Sequence, residues 1–285
     1  MWESPRNWPS LSLKWRDNVA ILYARFTRRA ALRFPMRLRD LTAYLDDYLR
    51  VRDVPDAPEA LNGLQVANAG EITRVAAAVD LCEATVRLAA EARADLLVVH
   101  HGLFWGGPRP LTGPAYRRVA GLLQCNIAVY SAHLPLDRHA EVGNNAVLAR
   151  QLGVSVRGEF GEEYGVTIGV WGELEVERMD LRERLNQLLG STPRLMAFGP
   201  ARTQRLGIVT GGAGSLIGQA AAAGLDTYIT GEGAHHTYFD AEELGVNVFY
   251  AGHYATETVG VKALAEHLHE RFGLPWVFLD HPTGL

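Results

Sequence analysis

Two adjacent histidines, His100 and His101, directly follow an uninterrupted apolar run at residues 96–99, and Gly102 comes next. An aliphatic run of this length is typical of a strand buried on both faces, the kind found in parallel α/β sheets. Neighbouring side chains of a strand point to opposite faces, so we expect the strand to end at Val99. The histidines would then lie at the carboxyl edge, where open α/β sheets bind their ligands. Two imidazoles at that edge indicate a metal site.

The chain contains an internal repeat in which a strand, a helix and a second strand follow in order. Residues 74–102 and residues 205–233 share this layout and align without a gap. Asp95 of the first stretch corresponds to Asp226 of the second, and the second histidine of the pair falls on Glu232. Matching polar residues at equivalent strand ends indicate a repeated βαβ unit whose two copies supply one site.

Each copy of the repeat continues into a further apolar strand that ends near a histidine. An acid follows that histidine four residues later, which gives the pairs His133 with Asp137 and His253 with Glu257. This second recurrence extends the internal repeat, and packing alone does not explain the matching polar ends.

The composition, with 48% hydrophobic and 21% charged residues in a chain of 285, fits an α/β protein with a sizeable core. No apolar run approaches the roughly 20 residues that span a bilayer. A net charge of −4 gives no general attraction to nucleic acid or to an anionic membrane. Cys82 and Cys125 lie far apart and outside any C-x-x-C motif, so we expect buried packing roles and a cytoplasmic location.

Residues 1–35 differ from the rest in charge, with seven basic residues against two acidic ones, and they contain three of the six tryptophans. No apolar region or cleavage site of a signal peptide follows these charges. A basic arm for a membrane or nucleic acid is one alternative. We favour a globular domain that starts at Met36, with residues 1–35 as a disordered extension or a mis-set translation start.

The remaining chain predicts two interlocked α/β lobes with the metal site at the carboxyl ends of their strands. Residues 36–160 and 250–285 are assigned to the first lobe, which opens with an amphipathic helix at 38–49. Residues 161–249 are assigned to the second lobe, which begins with a strand, an acidic turn and a helix at 179–189.

Six short blocks of the sequence resemble the Nif-three-like family of dinuclear-metal-centre proteins, which are also described as GTP cyclohydrolase I type II homologues. The blocks are NGLQV at 62–66, VHHGLFW at 99–105, HLPLD at 133–137, GNNA at 143–146, ITGE at 229–232 and AGHYATE at 251–257. They occur in order between Met36 and about Pro282, and their spacing resembles the shorter bacterial branch without an inserted middle domain.

The resemblance implies a toroidal homohexamer with two divalent metal ions in each subunit. Carried over position by position, the metal ligands are His100, His101, Asp137, His253 and Glu257. Imidazole and carboxylate are good ligands for zinc, manganese, iron or cobalt, and the sequence does not choose among these ions. A pair of such ions can activate water for hydrolysis.

Two further residues are candidates for catalysis. His133 matches His253 in the repeat but is not among the implied ligands, so we expect it to orient Asp137 or to transfer a proton. The alternative for His133 is a buried structural histidine. Glu232 is expected to line the site, and its alternative is a surface carboxylate at a turn.

Two other features invite a functional interpretation. His235 and His236 lie at an expected helix start outside the family blocks, so we expect them to be solvated rather than metal-bound. The sequence TGGAGS at 210–215 approaches a dinucleotide-binding fingerprint, although its third glycine is displaced to Gly218. A tight βα turn explains this sequence without a ligand, and an anion on its backbone amides is a further alternative.

The favoured function is a metal-dependent hydrolase that acts on a nucleotide-like or otherwise phosphorylated small molecule. Opening a guanine imidazole ring requires attack of water on the carbon between two nitrogens and delivery of a proton, which His133 or Glu232 would supply. The alternative is a non-catalytic, metal-handling or ligand-binding ring protein, and a regulatory interaction partner is a third interpretation. Neither a membrane nor nucleic acid is an expected partner.

Overall fold

A computed structural model describes residues 35–285, so the predicted extension at 1–35 lies outside the described residues except for Pro35. The described residues form thirteen strands and nine α-helices. The strands are β1 (Met36–Arg37), β2 (Gly63–Val66), β3 (Glu71–Ile72), β4 (Val75–Asp80), β5 (Leu96–His101), β6 (Ala128–Ser131), β7 (Ser155–Glu163), β8 (Val166–Glu177), β9 (Arg194–Ala197), β10 (Arg202–Ile208), β11 (Thr227–Thr230), β12 (Asn247–Tyr250) and β13 (Trp276–Phe278). The helices are α1 (Leu38–Tyr48), α2 (Glu83–Glu91), α3 (Gly113–Gln124), α4 (Leu134–Asp137), α5 (Asn144–Leu152), α6 (Arg178–Leu189), α7 (Ile217–Ala222), α8 (Thr237–Leu244) and α9 (His253–Phe272).

The first main sheet has five strands in the order β13-β4-β5-β6-β2, of which only β2 runs antiparallel to its neighbour. Both faces of this sheet are covered, as the continuous apolar runs predict. Leu96 and Val98 of β5 pack with α1 and α9, whereas Leu97 and Val99 pack with α2 and α3. The alternation of one strand therefore serves two cores.

The second main sheet has six strands in the order β7-β8-β10-β11-β12-β9. Its centre, β10-β11-β12, is parallel, and the outer strands are antiparallel. Helices α7 and α8 pack against one face, and α5 and α6 pack against the other. The predicted acidic turn after residue 171 is wrong, because β8 continues to Glu177 with its acidic side chains exposed on one side.

The repeated βαβ unit is present in both sheets and confirms the predicted α/β fold. The pairs β4-β5 and β10-β11 are parallel and correspond to the two copies. Asp95 accepts hydrogen bonds from the backbone amides of Thr73 and Arg74, at 2.7 and 3.0 Å. Asp226 likewise accepts hydrogen bonds from the backbone amides of Gln204 and Arg205, at 3.0 and 2.8 Å. The matching aspartates thus fix the start of equivalent strands.

Two local expectations are wrong. Strand β5 continues through His101 instead of ending at Val99. Pairing with β6 stops at Val99, whereas pairing with β4 continues to His101, so the last two residues have a ladder partner on one side only. The cysteines are also less buried than expected, because Cys82 is half-buried and Cys125 is exposed.

The positions of the strands support the two-lobe division, which we keep as a proposal. Strand β12 belongs to the six-stranded sheet, while α9 and β13 pack on the five-stranded sheet. Strand β7 crosses the proposed boundary at residue 160. Within residues 35–285, no helix is long and apolar enough to cross a bilayer.

Candidate metal centre

The five side chains predicted to bind metal converge between the carboxyl ends of the two main sheets. Glu257, on the second turn of α9, lies at the centre of the group: its carboxylate oxygens are 3.4 Å from Nε2 of His100 and 3.7 Å from Nε2 of His101. Nε2 of His253 lies 3.2 Å from the same carboxylate. Asp137, at the end of α4, is 3.5 Å from Nε2 of His100. One carboxylate therefore faces three imidazole nitrogens.

Adjacent histidines of one strand reach this site together, contrary to the argument from strand alternation. The ring centroids of His100 and His101 are 4.7 Å apart. Their Nδ1 atoms are held by neighbours on opposite sides of β5, since His100 bonds to Ala132 after β6 and His101 bonds to Asp80 on β4. Because β5 is unpaired on one side here, the rings can lean together at its end.

Buried atoms without partners indicate that the site fits a cation. His100 and Glu257 are almost fully buried, with 0% and 3% of their surface exposed. Among the described residues, Nε2 of His100, Nε2 of His101 and Oε2 of Glu257 have no hydrogen-bond partner. Leaving such atoms unsatisfied costs about 1–3 kcal/mol each, and imidazole with carboxylate is a suitable donor set for divalent metals.

The histidines share an orientation that favours Nε2 as the metal-binding atom. Each one has its Nδ1 within hydrogen-bond distance of a protein oxygen, which fixes the ring and the tautomer. The oxygens belong to Ala132 for His100, Asp80 for His101 and Glu232 for His253, at 2.9, 2.8 and 2.7 Å. Glu232, a candidate catalytic residue, therefore contacts the site through His253, and its side chain is 48% exposed.

The GNNA block holds Asp137 in place. Nδ2 of Asn144 donates to Asp137 Oδ1 at 2.8 Å, and its Oδ1 accepts from the amide of Gly260 on α9 at 2.7 Å. Asn145 donates to the carbonyl of Ile168 in β8 at 2.9 Å and accepts from the amide of Thr210 at 2.8 Å. Both asparagines are fully buried. They connect α4 to the second sheet and to the helix that carries Glu257.

The glycine-rich turn at 210–215 packs directly against the site. A Cβ atom on Gly211 would lie 2.2 Å from Oε1 of Glu257, and one on Gly231 would lie 2.7 Å from Cα of His253. Gly211 also has a φ of 71°, a conformation that favours glycine. Close approach to the candidate ligands therefore accounts for this sequence without a dinucleotide.

His133 lies beside the candidate ligands, with its ring centroid 4.9 Å from that of His100. One nitrogen each from His100, His101 and His133 fall within 4.8 Å of one another. The Nδ1 atom of His133 lies 2.7 Å from Oδ1 of Asp56, and its backbone amide donates to Asn62 at 2.7 Å. The imidazole is thus held by Asp56 rather than by Asp137. Sequence analysis did not identify Asp56, which follows a proline in an irregular loop.

The pKa values of the site residues show that its carboxylates favour positive charge at the imidazoles. Burial lowers the pKa of His100, but Asp137 and Glu257 outweigh it and raise that pKa to about 10. Burial likewise opposes protonation of His253, whereas Glu257 and Glu232 raise its pKa to about 9. Burial raises the pKa of Glu257, yet the imidazoles of His100 and His101 hold it well below its usual range. The carboxylates therefore favour positive charge at these imidazole nitrogens.

His235 and His236 are exposed to solvent, as expected. His236 directly precedes α8 without a side-chain capping hydrogen bond, and both side chains are exposed. Within the described residues, neither belongs to a group of side chains that could share a metal ion.

Residues 36–283 match the family described as Duf34/NIF3 (NGG1p interacting factor 3). The chain is 46% identical to a GTP cyclohydrolase 1 type 2 homolog from Deinococcus radiodurans over 248 residues, which cover 86% of this chain and 94% of that relative. It is 41% identical to the homolog from Archaeoglobus fulgidus over 252 residues, which cover 88% of this chain and 100% of that relative. The crystal structure of TTHA1606 from Thermus thermophilus is similar, with a TM-score of 0.79 and 47% identity. The match covers 88% of this chain and 100% of that protein.

Proposed function

The chain belongs to the Duf34/NIF3 family, and on that premise we propose that it is a dinuclear metal-binding protein acting as a metal-dependent hydrolase on a nucleotide-like or phosphorylated small molecule. One observation carries the proposal. Buried nitrogen and oxygen atoms of His100, His101 and Glu257 face one another without partners among the described residues, while the opposite nitrogens of both imidazoles are fixed. This arrangement supports metal binding at a site built in advance.

We assign the ligands as His100, His101, Asp137, His253 and Glu257. Glu257 is the central residue of this set, because its carboxylate lies near three imidazole nitrogens. Zinc, manganese, iron and cobalt all suit this set of nitrogen and oxygen donors. Two such ions would act as Lewis acids and lower the pKa of water toward neutrality.

His133 is the proposed proton carrier. Asp56 holds its Nδ1, so Nε2 is left to accept or donate a proton on the side of His100 and His101. Glu232, our second catalytic candidate, is assigned a positioning role, because it bonds to Nδ1 of His253.

The names of the relatives direct the choice of substrate. They are called GTP cyclohydrolase 1 type 2 homologs, and opening of a guanine imidazole ring needs water at the carbon between two nitrogens and a proton at the departing nitrogen. We propose that His133 moves that proton, which makes GTP the first substrate to test.

A second candidate function is metal handling or ligand binding without catalysis. The side chain of His253 is 29% exposed, which gives one ligand a route to solvent and favours exchange of ions. Readily exchanged metal without turnover would support this alternative.

The family resemblance also leads us to propose a cytoplasmic homohexamer. Exposed apolar side chains on or beside α3 support an interface between subunits. Leu111, Tyr116 and Leu123 are 59%, 59% and 62% exposed. Light scattering of the full chain tests the assembly.

The activity is tested by incubating GTP with metal-free and metal-reconstituted protein and separating the products by chromatography. We expect a ring-opened product only after reconstitution, and its loss in His133→Ala. Stable metal binding without turnover of GTP or other nucleotides would contradict the hydrolase assignment and favour the alternative.

A further inference from the structure

An exposed tryptophan lies against the proposed metal ligands. The indole centroid of Trp105 is 4.6 Å from the ring of His101, at an interplanar angle of 35°. It is 4.5 Å from the ring of His133, at 58°. Nevertheless, 39% of Trp105 is exposed to solvent. A large aromatic surface left open beside a polar site is typical of ligand recognition.

The turn that carries Trp105 is held firmly at its start. Oε1 of Gln65 accepts a hydrogen bond from the amide of Leu103 at 2.7 Å, and its Nε2 donates to the carbonyls of Ala60 and Leu61 at 3.1 and 3.0 Å. A Cβ atom on Gly102 would lie 2.3 Å from Oε1 of Gln65, so only glycine leaves room for this clamp. The indole is therefore presented in advance of binding, which reduces the entropy lost on association.

A basic side chain accompanies the indole. After Trp105 the chain turns at Gly106 and Gly107, whose φ values are 83° and 88°. Nη2 of Arg109 then lies 3.3 Å from the position of a Cβ atom on Gly106. Arg109 is exposed, and an exposed guanidinium in the turn that follows an exposed indole suits a ligand that combines a planar ring with an anionic group.

We propose that Trp105 is the platform on which the planar heteroaromatic ring of the ligand stacks, next to the metal centre. The inference rests on the proposed function and specifies its substrate class as a heteroaromatic ring with an anionic substituent, such as a nucleotide. Arg109 binds the anionic substituent. Trp105 is a specificity-determining residue, since a stacking platform selects flat rings without reading their edges.

The test compares two probes on the metal-reconstituted full chain, guanosine 5′-monophosphate and ribose 5-phosphate, by equilibrium dialysis. In the unmodified protein, the probe with the base should bind more tightly. Trp105→Leu should weaken its binding about 5- to 150-fold, the range for loss of one base-aromatic stack of ~1–3 kcal/mol. The affinity for ribose 5-phosphate should not change. Trp105→Phe should keep most of the difference between the probes.

Fluorescence supplies a second readout with a matched control. Guanosine 5′-monophosphate should quench tryptophan emission in the unmodified protein but much less in Trp105→Phe. The control is Trp276→Phe, which should be quenched like the unmodified protein, because the indole of Trp276 bonds to Glu266 away from the site. The proposal is overturned if the probes bind equally to the unmodified protein. It is also overturned if Trp105→Leu binds both probes normally, weakens both equally or loses metal.

Failure of this proposal is distinguishable from failure of the hydrolase assignment. Base-dependent binding that requires Trp105, without any turnover, would retain the platform and contradict the hydrolase. Turnover that is unchanged in Trp105→Leu would support the hydrolase and contradict the platform.

Discussion

Nδ1 of His133 lies 2.7 Å from Oδ1 of Asp56, although the two residues are 77 positions apart in the chain. Burial raises the pKa of Asp56, but its bonds to His133, Asn62 and Leu134 outweigh burial and hold that pKa below its usual value. An ionised carboxylate can only accept hydrogen bonds, so Nδ1 of His133 carries the proton. In the neutral form of this imidazole, the lone pair of Nε2 faces the metal centre.

Loss of this contact should impair catalysis while sparing the metal. In Asp56→Asn the amide can stabilise the other tautomer of His133, so we expect turnover to fall about 10- to 100-fold. His133→Ala should reduce turnover by about 10²- to 10⁴-fold. Steady-state kinetics and elemental analysis of the same samples check both expectations. The exposed His235→Ala serves as the control. Loss of metal from His133→Ala would identify His133 as a ligand and contradict its role as proton carrier.

Two glycines with the same backbone conformation provide a matched test of the packing around Glu257. Gly211 and Gly224 both have a φ of 71°, but only a Cβ atom on Gly211 would meet Glu257, whereas the nearest atom to one on Gly224 is 4.0 Å away. Replacement of either glycine by alanine should lower the free energy of unfolding by about 1–2 kcal/mol. Only Gly211→Ala should also weaken metal binding. Thermal unfolding and metal titration measure the two effects, and equal metal affinity in both variants would refute the packing argument.

The pH dependence of stability should differ between metal-free and metal-loaded protein. The pKa values of His100 and His253 are raised from 6.5 to about 10 and about 9 in the folded state. A raised pKa contributes stability that is complete below the unfolded value and is lost as the pH rises through the folded value. The metal-free protein should therefore lose stability from about pH 6.5 to about pH 10.

Metal binding should reverse this trend, because ligation requires neutral imidazole and displaces the protons. The apparent metal affinity should rise over the same pH range. Chemical denaturation at a series of pH values checks the first expectation, and competition with a chelator checks the second. Metal-free stability that stays constant or increases up to pH 10 would contradict the proposed charge state of the site.

The sequence predicted those parts of the site that depend on local order along the chain. The repeat placed Asp95 and Asp226 at equivalent strand starts, and the structure gives both the same hydrogen bonds to backbone amides. The spacing of four residues between His253 and Glu257 places them one helical turn apart at the start of α9. Such relationships can be predicted from the sequence because the period of the secondary structure and the spacing of residues determine them.

Contacts between distant segments could not be predicted in this way. Asp56 lies in a loop with no periodicity, so no pattern in the sequence marked it. The convergence of His100 and His101 depends on the one-sided pairing at the end of β5, which no strand pattern encodes. Likewise, Gly211 fits a nucleotide loop in sequence, but in the structure it packs against Glu257.

The number of metal ions per chain tests the central claim most directly. Elemental analysis of protein purified without an affinity tag or chelator should give close to two ions per chain. Glu257→Ala should lose most of this metal, because the Glu257 carboxylate lies near three of the proposed imidazole ligands, while His235→Ala should keep it. Absence of stoichiometric metal from the unmodified protein, or full retention in Glu257→Ala, would contradict the dinuclear centre.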